Sequence, residues 1–162
     1  MNLTHPMKCS FAVLCLAAAT TAGRAGDLTS ASSQTQFVRI YLERESGQIH
    51  LVDNRGQDTA VAKDPDYEAV SDPKLASNGR SAGWLVQMRV DANYPVPVGV
   101  AVWRGNRVIR KFGSSELPVI MVWSFFLDDK RVGYAAHGAH GPDVERSWYE
   151  LHDVSTGKML QT

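Results

Sequence analysis

A seven-residue pattern occurs twice in this chain and restricts what the chain can fold into. Residues 78–84 (NGRSAGW) recur fifty positions later as residues 128–134 (DDKRVGY). A second turn follows each copy, at 105–109 and at 156–160, with one residue of slippage between them. A β-meander repeated at such a period is typical of architectures that present binding surfaces. The repeat therefore predicts antiparallel sheets, and it favours recognition over a catalytic pocket.

The first 25 residues have the pattern of a secretory signal. Lys8 supplies a positive charge, residues 11–19 form a short apolar stretch, and small residues follow at the cleavage position. Cleavage is predicted after Ala25, and cleavage after Ala22 is the alternative. The nine apolar residues are too few for a membrane span, which needs about 20. The sequence therefore predicts export to the periplasm or the cell exterior.

Composition excludes several classes of function. Both cysteines, Cys9 and Cys15, lie within the predicted signal, so the exported chain has no thiol for catalysis, metal binding or disulfide formation. Removal of residues 1–25 leaves 15 basic and 17 acidic residues, a net charge of −2. A chain with this balance lacks the basic surface that binds nucleic acid or anionic lipid. The remaining 137 residues suit one domain.

Polar and turn-forming residues divide the N-terminal half of the exported chain. Residues 26–36 are small and polar, which predicts a flexible leader. A single all-β domain is expected over 37–162, and it begins with a hairpin of strands at 37–42 and 49–52. The hairpin's turn resembles the turns that close the repeat units, which suggests a truncated third copy. Residues 53–72, rich in Asp, Gly, Asn and Pro, predict a long loop.

Two repeat units follow this loop, at about 74–113 and 117–162. Their apolar runs are rich in β-branched and aromatic residues, and turn residues interrupt them about every ten positions. Runs this short favour strands over helices. Strands are expected at 82–90, 98–103, 107–112, 120–126, 131–137, 148–153 and 158–161.

The second repeat unit contains two turns of distinctive composition. An aspartate-rich turn interrupts residues 123–134 (WSFFLDDKRVGY), and residues 149–158 (YELHDVSTGK) end in a Thr-Gly-Lys turn. This unit resembles a blade of the WD-repeat or TolB-like β-propellers, and the likeness is weaker over the first unit. Propellers close with about four to eight blades, so two units and a hairpin cannot close a ring. We therefore expect a two-sheet sandwich, with assembly into a homo-oligomer as the alternative.

The connection after the predicted strand at 131–137 contains a cluster suggestive of a metal site. His137 and His140 are three residues apart, and Asp143 follows them. Two imidazoles and a carboxylate leave an open position on Zn²⁺, where a hydrolase activates water, and Glu145 is then the candidate general base. A flexible polar loop is the competing interpretation, because no helix orients the two rings. No cofactor is therefore expected, and a divalent metal at these residues is the alternative.

The corresponding connection of the first unit is stiff and apolar. Residues 93–97 contain a tyrosine and two prolines, which favour an extended loop. If a simple rotation relates the two units, this loop and the one at 137–143 lie on the same side of the protein. The candidate binding residues are therefore Tyr94, Pro95, Pro97, His137 and His140.

These observations predict a secreted, non-enzymatic binding module. Its partner is expected to be a protein, peptide or glycan that contacts the loops or an exposed strand edge. The alternative is a small metal-dependent hydrolase centred on His137, His140 and Asp143. Trp84 and Tyr134 are equivalent in the repeat and each follows a glycine, so we expect both in the core rather than on a ligand platform.

The protein recovered from its secreting cell is expected to lack residues 1–25, because signal peptidase removes the segment that contains the apolar stretch. The intact mass of the recovered protein tests this. A mass that corresponds to cleavage after Ala22 would support the alternative site, whereas a full-length mass would contradict the predicted signal.

Overall fold

The structure is a computed structural model that describes residues 35–89, 93–113, 118–138 and 146–162. The predicted signal, most of the predicted leader, His140 and Asp143 lie outside these ranges. The described residues contain eleven strands. No helix within them is long and apolar enough to cross a membrane.

The eleven strands form three antiparallel sheets in chain order. The first sheet consists of β1 (Phe37–Leu42), β2 (Ile49–Asp53) and β3 (Asp58–Ala60). The second sheet consists of β4 (Ala69–Leu75), β5 (Ser81–Met88), β6 (Val96–Arg104) and β7 (Arg107–Phe112). The third sheet consists of β8 (Val119–Phe126), β9 (Arg131–His137), β10 (Ser147–Asp153) and β11 (Met159–Gln161). Within each sheet every strand pairs with its neighbours in sequence, so every sheet is a meander, and the predicted all-β class is confirmed.

The second sheet is the middle layer of a stack of three. Successive side chains of β5 point to opposite faces, so Trp84 packs towards the first sheet and Leu85 towards the third. The core between the first two sheets contains Phe37, Ile49, Leu51, Val61, Ala82, Trp84, Val86 and Ala101. The core between the last two contains Leu85, Val100, Val102, Phe112, Ile120, Trp123, Val132, Tyr134, Ala136 and Val154. The sheets pack face to face as expected, and the N-terminal hairpin supplies a third layer.

The two copies of the repeat have the same orientation in this stack. Trp84 and Tyr134 are both buried on the face that packs against the preceding sheet, which we call the back face. Gly83 and Gly133 therefore lie on the opposite face, which we call the forward face. The prediction that the two aromatic residues belong to the core is confirmed. The third sheet packs on the forward face of the second sheet.

The hairpin turn of the first sheet repeats the last turn of the third sheet. In the first, the Gly47 amide donates to the Glu43 carbonyl at 2.9 Å. In the third, the Gly157 amide donates to the Asp153 carbonyl at 2.8 Å. Both glycines have positive φ angles, of 65° and 76°, a conformation that costs glycine little. The likeness that the sequence suggested between these turns is thus present in the backbone.

The prediction of a long loop over 53–72 is wrong, because β3 and the start of β4 lie within it. All three residues of β3 are exposed, so no apolar alternation marks this strand. In β4 the backbone turns at Asp72, which has a φ of 47°, and Pro73 follows within a register shift. Proline is tolerated in an edge strand at such an irregularity. The Asp-Pro pair therefore marks a bulge here rather than a turn.

Trp123 fixes the third sheet on the second. Its ring lies over Gly83, where an added Cβ atom would be 2.7 Å from the Cη2 atom of the indole. The indole Nε1 donates to the Asp72 carbonyl at 3.1 Å, and the Lys74 ammonium donates to the Trp123 carbonyl at 2.6 Å. The irregular part of β4 therefore binds the same tryptophan that Gly83 accommodates.

Gly83→Ala is expected to lower the free energy of unfolding by about 1–3 kcal/mol, because the added methyl group collides with the Trp123 ring and with the Ala101 carbonyl, at 2.7 Å and 2.9 Å, in a closed core. Gly133→Ala is the matched control. Its methyl group meets the ring of Phe126, which is 49% exposed and free to turn away, so we expect a loss below about 1 kcal/mol. Urea denaturation measures both. Equal losses of unfolding free energy in the two variants would contradict the close contact assigned between Trp123 and Gly83.

Candidate functional site

The sequence repeat predicts that two connections lie on the same side of the protein. These are the connection after β5 and the connection after β9. At the start of these strands the Ser77 hydroxyl donates to Asp128 at 2.8 Å, which joins the β4–β5 turn to the β8–β9 turn. Both strands lead away from this junction, so the described residues flanking the two connections lie at the opposite end of the stack. Tyr94 is 69% exposed there, and Pro95 and Pro97 are half-buried.

His137 is the one candidate metal ligand within the described residues. It ends β9, and its Nδ1 atom lies 2.7 Å from the Gly138 carbonyl. Within residues 35–89, 93–113, 118–138 and 146–162, no group of three or more His, Cys, Asp or Glu side chains is arranged to hold a metal ion. Metal binding by His137 with His140 and Asp143 stays a prediction, since the last two lie outside those ranges.

A buried polar cluster that the sequence did not reveal lies between the second and third sheets. Its centre is Glu150, which accepts hydrogen bonds from the Tyr134 hydroxyl at 2.5 Å and the Trp148 indole at 2.9 Å. The His152 Nε2 atom lies 2.7 Å from the same carboxylate. The His152 ring stacks on Tyr134 and tilts against Phe112 of the second sheet. Alternation in β10 places Glu150 and His152 on the back face, and this alternation is the signal that sequence reasoning missed.

The environment of Glu150 keeps its carboxylate ionised. Burial alone would raise the pKa, but hydrogen bonds from Tyr134, His152 and Trp148 outweigh burial and hold the Glu150 pKa below its ordinary 4.5. Burial and the neighbouring carboxylate raise the pKa of the Tyr134 hydroxyl far above its ordinary value. The partners of this carboxylate are side chains of its own sheet. The cluster therefore stabilises the third sheet at the surface that packs on the second sheet.

An aspartate of the repeat forms a second polar contact between these sheets. Asp129 accepts a hydrogen bond from the Ser81 hydroxyl at 2.6 Å and pairs with Arg104 at 2.9 Å. Burial would raise the Asp129 pKa, but bonds from Ser81 and Asn78 and the charge of Arg104 outweigh it, so the pKa lies below its ordinary value. The aspartate-rich turn of the second repeat unit thus joins two layers.

The outer face of the first sheet is polar. Tyr41 stacks on His50 with ring centroids 4.9 Å apart, and both bind Asp58, at 2.5 Å and 2.9 Å respectively. The Arg39 guanidinium lies 5.0 Å from the Tyr41 ring centre. The hydrogen bond from Tyr41, followed by that from His50, lowers the pKa of Asp58, and the same Tyr41 bond raises the tyrosine pKa. This end of the stack carries charged, mutually bonded side chains.

The forward face of the third sheet is apolar. Nine large hydrophobic side chains among the described residues are exposed, and seven of them belong to the third sheet or its turns. These seven are Met121, Val122, Phe126, Leu127, Tyr149, Met159 and Leu160. A groove of about 740 Å³ crosses the forward face. Its lining is mainly apolar, with Val122, Phe126, Ala135, Tyr149 and Leu151, and it also includes the polar residues Ser124, Arg131, Gln161 and Thr162. The residues at the bottom of this groove are equivalent, in the repeat, to the residues of the second sheet on which the third sheet packs.

Gly83 and Gly133 show what distinguishes these two forward faces. The ring over Gly83 is Trp123, which comes from the next sheet. The ring over Gly133 is Phe126, which comes from the adjacent strand of the same sheet, and Leu151 lies beside it. Phe126 therefore covers Gly133 in the third sheet, as Trp123 of the following sheet covers Gly83 in the second sheet.

Comparison of the chain with models of protein families, with curated proteins and with solved structures finds no match. The site is therefore defined by its own geometry, as an apolar face of a repeated sheet. The four-stranded antiparallel meanders are compatible with blade-like repeats.

Tyr134→Phe is expected to lower the free energy of unfolding at pH 7 by about 1–3 kcal/mol, because buried Glu150 loses a hydrogen-bond donor. The stabilisation from ionised Glu150 is present above pH 4.5 and is lost as the pH falls through the lower pKa of the folded protein. The difference between the wild type and the variant is therefore expected to narrow below pH 4.5.

Denaturation curves at pH 7 and at more acidic values measure this difference. Tyr149→Phe is the control, because its ring is 72% exposed and its loss is expected to stay within about 0.5 kcal/mol. A difference between Tyr134→Phe and the wild type that does not change with pH would contradict the role assigned to the Glu150 carboxylate.

Proposed function

We propose that this chain is a non-enzymatic interaction module that binds a macromolecular partner on the forward face of its third sheet. The concentration of exposed apolar side chains on this sheet is the observation that supports the proposal. Apolar patches that stay exposed on a folded protein mark interaction surfaces. The equivalent face of the second sheet buries its side chains against the third sheet, and this supports a binding role for the face of the third sheet.

A face suits binding here better than the β8 edge does. Strand addition requires free backbone groups along an edge. In the middle of β8 the Trp123 carbonyl accepts a hydrogen bond from Lys74, and its indole donates to the Asp72 carbonyl. An added strand would compete with Lys74 for that carbonyl. The side chains of the forward face meet no such competition.

The chemistry of the face favours a protein or peptide over a glycan. Val122, Phe126 and Leu151 offer apolar contact, whereas a sugar needs many hydrogen-bonding partners. Tyr149 can supply both a ring and a hydroxyl to a bound protein, as tyrosines do at interfaces. Tyr94, Pro95, Pro97 and His137 stay candidates for a further contact at the end of the stack.

Export and repeat ancestry belong to the same proposal. Cleavage of the predicted signal in residues 1–25 would deliver the module to the periplasm or the cell exterior. The second and third sheets would then be blade repeats of the WD or TolB-like kind. Their turns and their common orientation in the stack support this kinship.

Photo-crosslinking at single positions tests the binding face. A photoreactive phenylalanine analogue at position 149 is expected to give adducts of discrete mass in the native compartment. The same analogue at Val38 is the control, because that residue is 60% exposed and belongs to the first sheet. Position 94 tests the loop, where Tyr94 is comparably exposed.

Adducts at position 149 that are missing at position 38 would support the proposed face. Adducts at position 94 alone would indicate that the partner binds the loops instead of the forward face. The absence of adducts at all three positions would contradict a binding role for this surface.

A further inference from the structure

We propose that a cavity between the first and second sheets binds a small amphiphile that has an apolar chain and one carboxylate, as a medium-chain fatty acid does. The cavity has a volume of about 330 Å³ and opens beside the β1–β2 turn. It adjoins the back face of the second sheet, whereas the proposed macromolecular site is the forward face of the third sheet. The two sites are separate, so this proposal does not rest on the other.

The inner wall of the cavity is apolar and buried. Trp84, Val86 and Ala101 of the second sheet contribute to this wall. Ile49 of the first sheet and Val61, which follows β3, contribute from the other side. Each of these five side chains is at most 5% exposed. Native cores leave few voids larger than a water molecule, so a cavity of this size with a buried wall is typical of a ligand pocket.

The cavity arises where a small sheet packs on a larger one. The first sheet has three strands of six, five and three residues. The second sheet has four strands of seven, eight, nine and six residues. After Val61 the chain leaves the first sheet and crosses to β4, which begins at Ala69. This crossing segment and the β1–β2 turn form the margin at which the smaller sheet ends and the cavity opens.

The volume of the cavity sets the length of the apolar chain that fits. A group of the size of a water molecule takes about 30 Å³, so about 330 Å³ has room for about ten methylene-sized groups. Decanoate, with ten carbons, is therefore the probe of choice. Burial of each methylene group tightens binding about fourfold until the chain is longer than the cavity.

Two acidic residues of the lining are already paired with cations that lie outside the lining. Glu68 pairs with Arg89 at 3.3 Å. Asp64 pairs with Lys111, whose ammonium lies 4.8 Å from the centre of the Tyr67 ring. These two carboxylates are therefore neutralised by the protein itself and do not require a cationic ligand.

The unpaired charges at the mouth of the cavity favour an anion. Within the described part of the chain, the lining residues Arg44, Lys63 and Glu45 form no ion pair. The Lys63 ammonium lies over the β1–β2 turn, 3.9 Å from the place of a Cβ atom added to Gly47. Glu45 offsets one of the two positive charges, so one net positive charge remains for a ligand carboxylate. The other polar residues of the lining are neutral: Ser46, Gln48 and Tyr67.

Isothermal titration calorimetry of the purified full-length chain with decanoate tests the site. The dissociation constant is expected to lie below about 100 µM. Octanoate, which is two methylene groups shorter, is expected to bind about tenfold more weakly. Decylamine has the same chain length and the opposite charge, and it is expected to bind at least about tenfold more weakly than decanoate.

Substitutions in the lining locate the bound ligand. Ala62→Phe and Val70→Phe place a ring in the cavity and are each expected to raise the dissociation constant of decanoate at least about tenfold. Ala60→Phe is the matched control, because Ala60 is exposed on β3 and does not line the cavity, so the dissociation constant is expected to stay unchanged. Thermal unfolding by circular dichroism checks that the three variants fold.

Charge variants test how the carboxylate is recognised. Arg44→Gln and Lys63→Gln are each expected to weaken decanoate binding about threefold to tenfold. Glu45→Gln is expected to strengthen it by a similar factor, because the net positive charge of the mouth increases. Lys158→Gln removes an exposed positive charge from the third sheet and is expected to have no effect.

Three results would overturn the proposal. The first is a dissociation constant of decanoate above about 100 µM. The second is binding that neither Ala62→Phe nor Val70→Phe weakens, since the ligand would then bind elsewhere, for example in the groove of the third sheet. The third is binding of decylamine as tight as that of decanoate, which would contradict the selection of an anion. None of these results bears on the photo-crosslinking at position 149, so the two proposals fail independently.

Discussion

The contact of Trp123 with Gly83 is the constraint on which the arrangement of the sheets depends. The tryptophan ring reaches the backbone of β5 only because Gly83 has no side chain, and the bulged strand β4 holds the same residue through Asp72 and Lys74. A residue from one repeat is thus anchored by a glycine and an irregular strand of the other. This explains why the glycine recurs in the repeat, since each forward face needs a place where a ring can lie close to the sheet.

Polar groups complement this contact at separate points along the two sheets. Asp129 pairs with Ser81 and Arg104 beside the turns, while Glu150 gathers donors within the core. Buried carboxylates stabilise a fold only when their hydrogen bonds are satisfied. Because Ser81 and Arg104 belong to the second sheet and Asp129 to the third, this pairing requires one register between the sheets and adds specificity to the apolar packing.

The sequence predicted the class, the meanders and most strands because the repeat and the turns are local signals. It did not predict β3, which is exposed, or the start of β4, where Pro73 follows the bulge at Asp72. The sequence predicted a binding site in the loops around Tyr94 and His137, because prolines and paired histidines are recognisable from sequence alone. The apolar forward face was not visible, since Val122 and Tyr149 resemble core residues until the packing shows that nothing described covers them.

The common orientation of the repeats has a consequence for how such a chain can grow. Each repeated sheet has a back face that fits its predecessor and a forward face that fits its successor, so the layers form a directional, nearly one-dimensional array. A duplicated third-sheet unit added after residue 162 would bring its own counterpart of Trp123 to Gly133, once the Phe126 ring turned aside. The architecture thus allows lengthening by whole layers without redesign of the existing ones.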